Sequence, residues 1–360
     1  MIRKKILMIA GEASADRHAS KVIQSLKSVS PDIEIFGMGG PMMKEAGMEC
    51  CYGMDELSVM GFSDVLPRVR RIYGVYKGIQ ALIRIRKPDV VLPVDLPDFN
   101  MRVARYAKKH HTKVLYYIAP QAWAWRSYRA RTLSAVTDGL AVIFPFEEEF
   151  FRRHGVDARY VGHPLMEDLS STAEVVWPPK RIGLLPGSRS HEIRKILPIM
   201  MGAKRIIKER YPGITWHLPV APGIDRDLLE GMTDDDIRLT GSLPDVDLAM
   251  VKSGTSCFEM AIRGIPGVIC YRTSAFNYRL ARFFVKTPFI GMPNIIMKKA
   301  VAPELIQDEL NERSLSDALV KYITDKNLFY DAVKDCTRLR ECMGGKRADQ
   351  EVARWVTELL

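Results

Sequence analysis

Three stretches of this sequence set charged or reactive side chains at the ends of apolar runs. In VVLPVDLPDFN (90–100) a segment that reads as buried meets Asp95 and then Asp98. A carboxylate at such a tip needs a reason to be there. Asp98 is suited to cap a helix beginning near Phe99. In LLPGSRSHE (184–192), Gly187 and Ser188 let the backbone approach a ligand, and Arg189 supplies a forked, permanently charged donor suited to phosphate oxygens. A turn with a solvated arginine fits the same letters. In VKSGTSCFEMAIRGIP (251–266), Ser253, Gly254, Thr255 and Ser256 stand where a helix begins, and free N–H groups and the helix dipole there favour an anion. Glu259 lies one turn past Thr255 on the same face, where a carboxylate can accept both hydroxyls of a ribose. A capped helix with one solvated glutamate would look alike. Two phosphate-suited turns in one half of the chain put a nucleotide-diphosphate site ahead of that reading.

The turn GEASADRH (11–18) leads into a helix with Ser14 and Asp16 available as caps, and is neither G-x-G-x-x-G nor a Walker P-loop. His110 and His111 are adjacent and diverge, and no H-x-x-x-H or D-x-D cluster ends a strand. Neither metal nor cofactor is expected. Arginine and a helix dipole are then the expected counter-charge of a diphosphate.

The elements that must position these residues follow an alternating pattern. KILMIA (5–10), IEIFGM (33–38), VVLPV (90–94), VLYYIA (114–119) and LAVIF (140–144) read as strands separated by segments of helical period, the signature of βαβ units. A second series starts near residue 180: RIGLLPGSR, a helix striped by Ile193, Ile196, Leu197, Met200 and Met201, then TWHLPVAP, IRLTG, LAMVKSG and GVICYR. STAEVVWPPK (171–180) has the composition of a connection. The predicted fold is α/β: two Rossmann-like doubly wound domains, residues 1–170 and 171–338, facing a cleft at the carboxyl ends of their strands. At 360 residues the chain exceeds what one core usually supports.

The formal charge of +10, from 53 basic and 43 acidic side chains, points to an anionic partner. No RNP-type or helix-turn-helix pattern accompanies it, so nucleic acid is set aside. Six cysteines without a C-x-x-C pair read as reduced thiols in a cytosolic protein. The opening MIRKKILMIAGEAS reads as a strand rather than a signal peptide, and no apolar stretch approaches the roughly 18 residues of a membrane span. Residues 60–87 interleave Met60, Phe62, Val65, Leu66, Ile72, Tyr73 and Tyr76 with seven basic residues, among them Arg68, Arg70, Arg71, Arg84 and Arg86, against the single acid Asp64. That mixture fits an interfacial segment on anionic lipid. A connecting helix with a solvated basic face fits it too. YRLARFFVK (278–286) repeats the mixture.

Taken in order, GEASAD, ELSVMGFSDVLPR, VDLPDFN, APQAWAWR, FPFEEEFF, VGHPL, LLPGSR, SGTSCFE and MPN give a chain that resembles the lipid-A-disaccharide synthases over nearly its whole length. The resemblance implies a GT-B glycosyltransferase whose final helix, residues 339–360, packs on the first domain. It implies a metal-independent, inverting transfer from UDP-2,3-diacylglucosamine to 2,3-diacylglucosamine 1-phosphate, releasing UDP, at the cytoplasmic face of the inner membrane. By the matching motifs Asp95 inherits the general-base role, and Arg189 and Asn294 roles at the donor nucleotide. Gly187, Ser188, Ser253, Gly254, Thr255, Ser256 and Glu259 inherit UDP binding. Glu12, Ser14, Asp16 and Met60 fall on an acceptor-side loop, and Phe62, Val65, Leu66, Arg68, Arg70, Arg71 and Tyr73 on the membrane-facing side. Ala15 stands where the family more often has glycine, which would be strained if the position needs positive φ. Lys252 replaces a small residue. A UDP-N-acetylglucosamine 2-epimerase of the same architecture, or a non-catalytic basic binding module, are the alternative readings; the oligomeric state is left open.

Overall fold

A computed structural model describes residues 3–57, 65–124, 128–168, 172–221, 223–241, 243, 245–274, 278–279 and 287–360. The chain divides into two compact units, Met1–Asp168 with Gly345–Leu360, and Leu169–Gly344.

In the first unit seven parallel strands lie in the order β3-β2-β1-β4-β5-β6-β7: β1 Lys5–Ala10, β2 Glu34–Gly39, β3 Glu49–Gly53, β4 Val90–Val94, β5 Lys113–Tyr117, β6 Gly139–Val142 and β7 Ala158–Tyr160. The central strands β1 and β4 are buried almost end to end, as expected of a parallel sheet covered on both faces. β4 carries Pro93, which has no N–H to donate, and its register with β5 is kept at Val90, Val91 and Val94 but not at Leu92 and Pro93. The helix Ala13–Val29 returns from β1 and buries Ala15, Ala19, Val22, Ile23 and Leu26 at helical spacing.

The second unit has six parallel strands in the order β10-β9-β8-β11-β12-β13: β8 Arg181–Leu185, β9 Thr215–Pro219, β10 Ile237–Thr240, β11 Leu248–Lys252, β12 Gly267–Tyr271 and β13 Glu304–Ile306. Both sheets reverse their order once, between β1 and β4 and between β8 and β11. Ligands of such sheets bind outside the carboxyl ends at the reversal.

Three edge strands, β3, β7 and β13, have no counterpart among the predicted ones. They span five, three and three residues, and β3 and β13 are half-exposed, so they lack the long apolar run that marks a central strand.

Residues 339–360 are not one helix. Residues up to Met343 end the helix Lys326–Met343 of the second unit, Gly344 turns at φ 62°, and a new helix, Ala348–Leu359, joins the first unit. Its Val352, Ala353, Trp355 and Val356 pack with Ile6, Met8 and Val90. Trp355 also lies against Gly139, where an added Cβ would come within 2.5 Å of the indole, and beneath the Arg159 guanidinium at 4.1 Å. Ser25 Oγ donates to Asp349 at 2.7 Å and Asp349 N donates to Glu167 at 3.0 Å, fixing the start of the helix.

Trp355→Ala removes a large, almost fully buried ring and should lower the stability of the first unit by about 3–5 kcal/mol in urea unfolding. A loss under about 1 kcal/mol would mean that this helix is not integral to the first core.

Candidate active site

In the first unit the order reversal brings the exit of β1, Gly11 and Glu12, beside the exit of β4, Asp95 and Leu96. The approach is close: a Cβ on Gly11 would meet Leu96 Cδ2 at 2.7 Å. Asp95 and Leu96 both adopt the left-handed conformation, at φ 51° and 50°. Two such non-glycine residues in succession cost on the order of 1 kcal/mol each or more and persist only when their surroundings over-determine them. Here they do. Asp95 N donates to Tyr117 O at 2.9 Å, and Asp95 O accepts from Asn100 Nδ2 at 2.7 Å and from Tyr116 Oη at 2.6 Å. Asn100 Nδ2 also reaches Val94 O at 3.2 Å. With its backbone pinned, the half-buried side chain of Asp95 is aimed out of the strand. Burial raises its pKa above the ordinary 3.8; the Leu96 N–H opposes that shift and the charge of Glu12 adds to it.

Several expectations on this edge need correction. Asp98 does not cap the following helix, which starts at Pro97; it lies in the first turn and pairs with Arg129. Ser14 and Asp16 do not cap the first helix, whose N-cap is Glu12. The buried Asp16 instead accepts from Gly40 N at 2.8 Å, Met42 N at 3.1 Å and Met43 N at 3.1 Å, so its carboxylate is spent on the helix Pro41–Glu45. Glu12 and Ser14 are exposed. Ala15 is buried inside the helix, so the anticipated strain does not arise there.

In the second unit the reversal joins the exits of β8 and β11. Gly187 turns at φ 119°, and a Cβ there would meet Glu192 Oε2 at 2.5 Å. Glu192 Oε1 takes Lys252 Nζ at 3.0 Å and Arg189 Nη1 at 3.4 Å, so one carboxylate ties the two turns together. Arg189 is 71% exposed while Lys252 is 19% exposed, which leaves the guanidinium the accessible cation. Ser188 is exposed. Gly254, at φ 154° and ψ −157°, precedes the helix Thr255–Ile262 in a conformation that only glycine adopts at little cost. No side chain caps that helix start, and Thr255 is exposed with Ser256 half-exposed beside it. Glu259 is half-buried and accepts from Arg263 at 3.2 Å.

Two predicted donor-site residues turn inward. Ser253 Oγ donates to Ile290 O at 2.9 Å. Asn294 is fully buried: its Nδ2 donates to Ala302 O at 2.7 Å and Glu304 Oε1 at 2.8 Å, and its Oδ1 accepts from Val301 N at 2.7 Å and Ala302 N at 2.9 Å. Glu304 also accepts from Ile290 N and Gly291 N. Asn294 is thereby connected to the Ser253–Gly254 turn through Glu304 and residue 290.

Of the surface expectations, Met60 and Phe62 lie outside the described residues. Val65, Leu66 and Arg68 fall in the first turn of the helix Val65–Arg86, and Arg70, Arg71 and Tyr73 are exposed on it. Arg86 is not presented outward: it pairs with Glu34 at 2.6 Å and Glu49 at 2.7 Å and stacks on Phe36, locking β2 to β3. Among the described residues, no helix is long and apolar enough to cross a membrane.

Glu192, Tyr116 and Asn100 were not singled out from sequence. Glu192 and Asn100 lie inside quoted motifs.

The family model described as lipid-A-disaccharide synthetase matches residues 6–354. The chain belongs to this family. It is 37% identical to the lipid-A-disaccharide synthase of Myxococcus xanthus, over 99% of this chain and 97% of that protein. It is 35% identical to that of Geobacter metallireducens, with the same coverage. Among solved structures it is similar to the calicheamicin glycosyltransferase CalG4 (TM-score 0.63, 14% identity, 100% of this chain and 99% of that one). It is also similar to MurG of Acinetobacter baumannii (0.61, 12%, 99% and 99%) and to the UDP-GlcNAc 2-epimerase of Neisseria meningitidis (0.60, 11%, 98% and 98%). These likenesses show the GT-B fold. As a lipid-A-disaccharide synthase family member the protein is a glycosyltransferase that takes a UDP-sugar donor and a sugar acceptor.

Removing the negative charge beside Asp95 in Glu12→Gln should lower the Asp95 pKa. Carbon-13 NMR of the Asp95 carboxyl should show its titration midpoint moving to lower pH; an unchanged or higher midpoint would rule out Glu12 as a neighbour in charge.

Proposed function

We propose that the protein transfers the sugar of UDP-2,3-diacylglucosamine to the 6-hydroxyl of 2,3-diacylglucosamine 1-phosphate, with inversion at the anomeric carbon, at the cytoplasmic surface of the inner membrane. The observation that carries this reading is the matched pair of strand-order reversals, one armed with a carboxylate and the other with a cationic turn and an uncapped helix start. Asp95 takes the proton of the acceptor hydroxyl as that oxygen forms its bond to the anomeric carbon. The bond from that carbon to the diphosphate breaks, and UDP leaves with the electron pair. Arg189, Lys252 and the amides of the Gly254–Ser256 helix start receive the developing charge. In this reading Glu259 holds the ribose and Asn294 holds the turn. The raised pKa of Asp95 serves the chemistry, because a more basic carboxylate accepts a proton more readily. The exposed Arg70, Arg71 and Tyr73 support contact with anionic lipid through the helix Val65–Arg86.

Asp95→Asn is the sharper test than alanine, since asparagine tolerates the left-handed backbone and keeps the shape of the side chain. Turnover should fall by roughly 10²- to 10⁴-fold with UDP affinity unchanged. A variant that keeps more than about a tenth of wild-type turnover would remove Asp95 from the base role.

A further inference from the structure

At the carboxyl end of the first sheet, next along from Asp95, the exits of β5, β6 and β7 build an aromatic group that the chemistry above does not use. β5 is the strand whose Tyr117 O accepts from Asp95 N. Past it Ile118 turns at φ 64°, a conformation that a β-branched residue adopts only under constraint, and the chain runs on to Trp123. Past β6 come Phe144, Phe146 and Glu147, and past β7 comes His163. Trp123 and Phe146 meet edge to face at 5.0 Å between centroids, Phe146 stacks over Phe144 at 5.9 Å, and Phe144 lies 5.0 Å from His163. Phe144 and His163 are buried, whereas Trp123 and Phe146 are each left half-exposed. The half-exposed pair is anchored from below. Glu147 is 1% exposed; its Oε1 accepts from Trp123 Nε1 at 2.9 Å and its Oε2 from Phe144 N at 3.2 Å.

A carboxylate buried this deeply is costly. Burial pushes its pKa up to about 7 against the pull of the Trp123 indole and the amides of Phe144 and Ile143. Leucine or methionine would fill the same volume without that cost, while the capping of the helix Pro145–Arg152 asks for only one of the two oxygens. Glu147 Oε1 takes the Trp123 indole N–H.

We infer that Trp123 and Phe146 form an acceptor subsite on the sheet edge next to Asp95, taking the apolar face of an acylated sugar, and that Glu147 is the positioning residue that holds the Trp123 indole in place for it. The inference rests on the glycosyl-transfer reading, in which Asp95 activates the acceptor. Aromatic faces and edges suit a ligand that is apolar on one side and hydroxylated on the other. The donor, by contrast, is held in this reading by the second unit, so the subsite bears on one substrate only.

The test measures KM for each diacylated substrate separately in wild type, Glu147→Leu, Glu147→Gln, Trp123→Phe and the double variant Glu147→Leu/Trp123→Phe, with thermal unfolding alongside. Glu147→Leu and Trp123→Phe should each raise the acceptor KM by at least about fivefold, as loss of a buried hydrogen-bond partner does, with the donor KM unchanged. Glu147→Gln, which keeps one acceptor oxygen, should fall between wild type and Glu147→Leu. The double variant should be no worse than the poorer single, because both remove the same bond. Should Glu147→Leu fail to fold, Trp123→Phe keeps the ring and decides alone. Acceptor KM values within twofold of wild type in every folded variant, or equal rises for donor and acceptor, would overturn the subsite while leaving the transferase reading intact. A wild type that does not join the two substrates would overturn both.

Discussion

The left-handed turn at Asp95 and Leu96 is the constraint on which the exit of β4 depends. A strand exit in ordinary extended geometry would have carried the carboxylate onward with the chain. Two consecutive residues at positive φ reverse the path at once, so that the side chain stays at the strand tip while Pro97 starts the next helix. That geometry is held by hydrogen bonds to the Asp95 backbone from the neighbouring strand and helix, through Tyr117, Tyr116 and Asn100. Those bonds fix the Asp95 backbone, and the Leu96 N–H reaches its carboxylate; a group proposed to take a proton gains from such rigidity, since misplacement by an ångström is expensive in rate.

The turns of the second unit are tied by charge. Glu192 sits beneath Gly187 and holds Lys252 and Arg189 together, so that two cations from two turns share one carboxylate. Behind the uncapped helix start, Asn294, Glu304 and the backbone of residues 290 and 291 form a closed set of hydrogen bonds. Every polar atom of the Asn294 amide is spent inside the protein.

How much of this was legible beforehand follows from what each feature leaves in the letters. Central strands such as VVLPV are uninterrupted apolar runs, and turns rich in glycine or proline mark where such strands end, so the doubly wound plan and the three charged turns were readable. Edge strands such as Glu304–Ile306 carry no such run. Helix caps went astray by a few residues: Asp98 and Asp16 have the right chemistry for caps, but the caps are Leu96 and Glu12, and the two carboxylates serve Arg129 and the amides near residue 40 instead. The inward turn of Ser253 and Asn294 was illegible for another reason. A motif shows which side chain is present, not whether its hydrogen bonds are already taken by chain segments that are distant in sequence.

The most direct measurement combines the purified protein with both diacylated glucosamine substrates in detergent and follows UDP together with the sugar product. Equal amounts of UDP and a β(1→6)-linked disaccharide monophosphate, formed only when both substrates are present, are the predicted result. UDP release without the acceptor, or interconversion of UDP-N-acetylglucosamine added alone with no disaccharide from the pair, would contradict it.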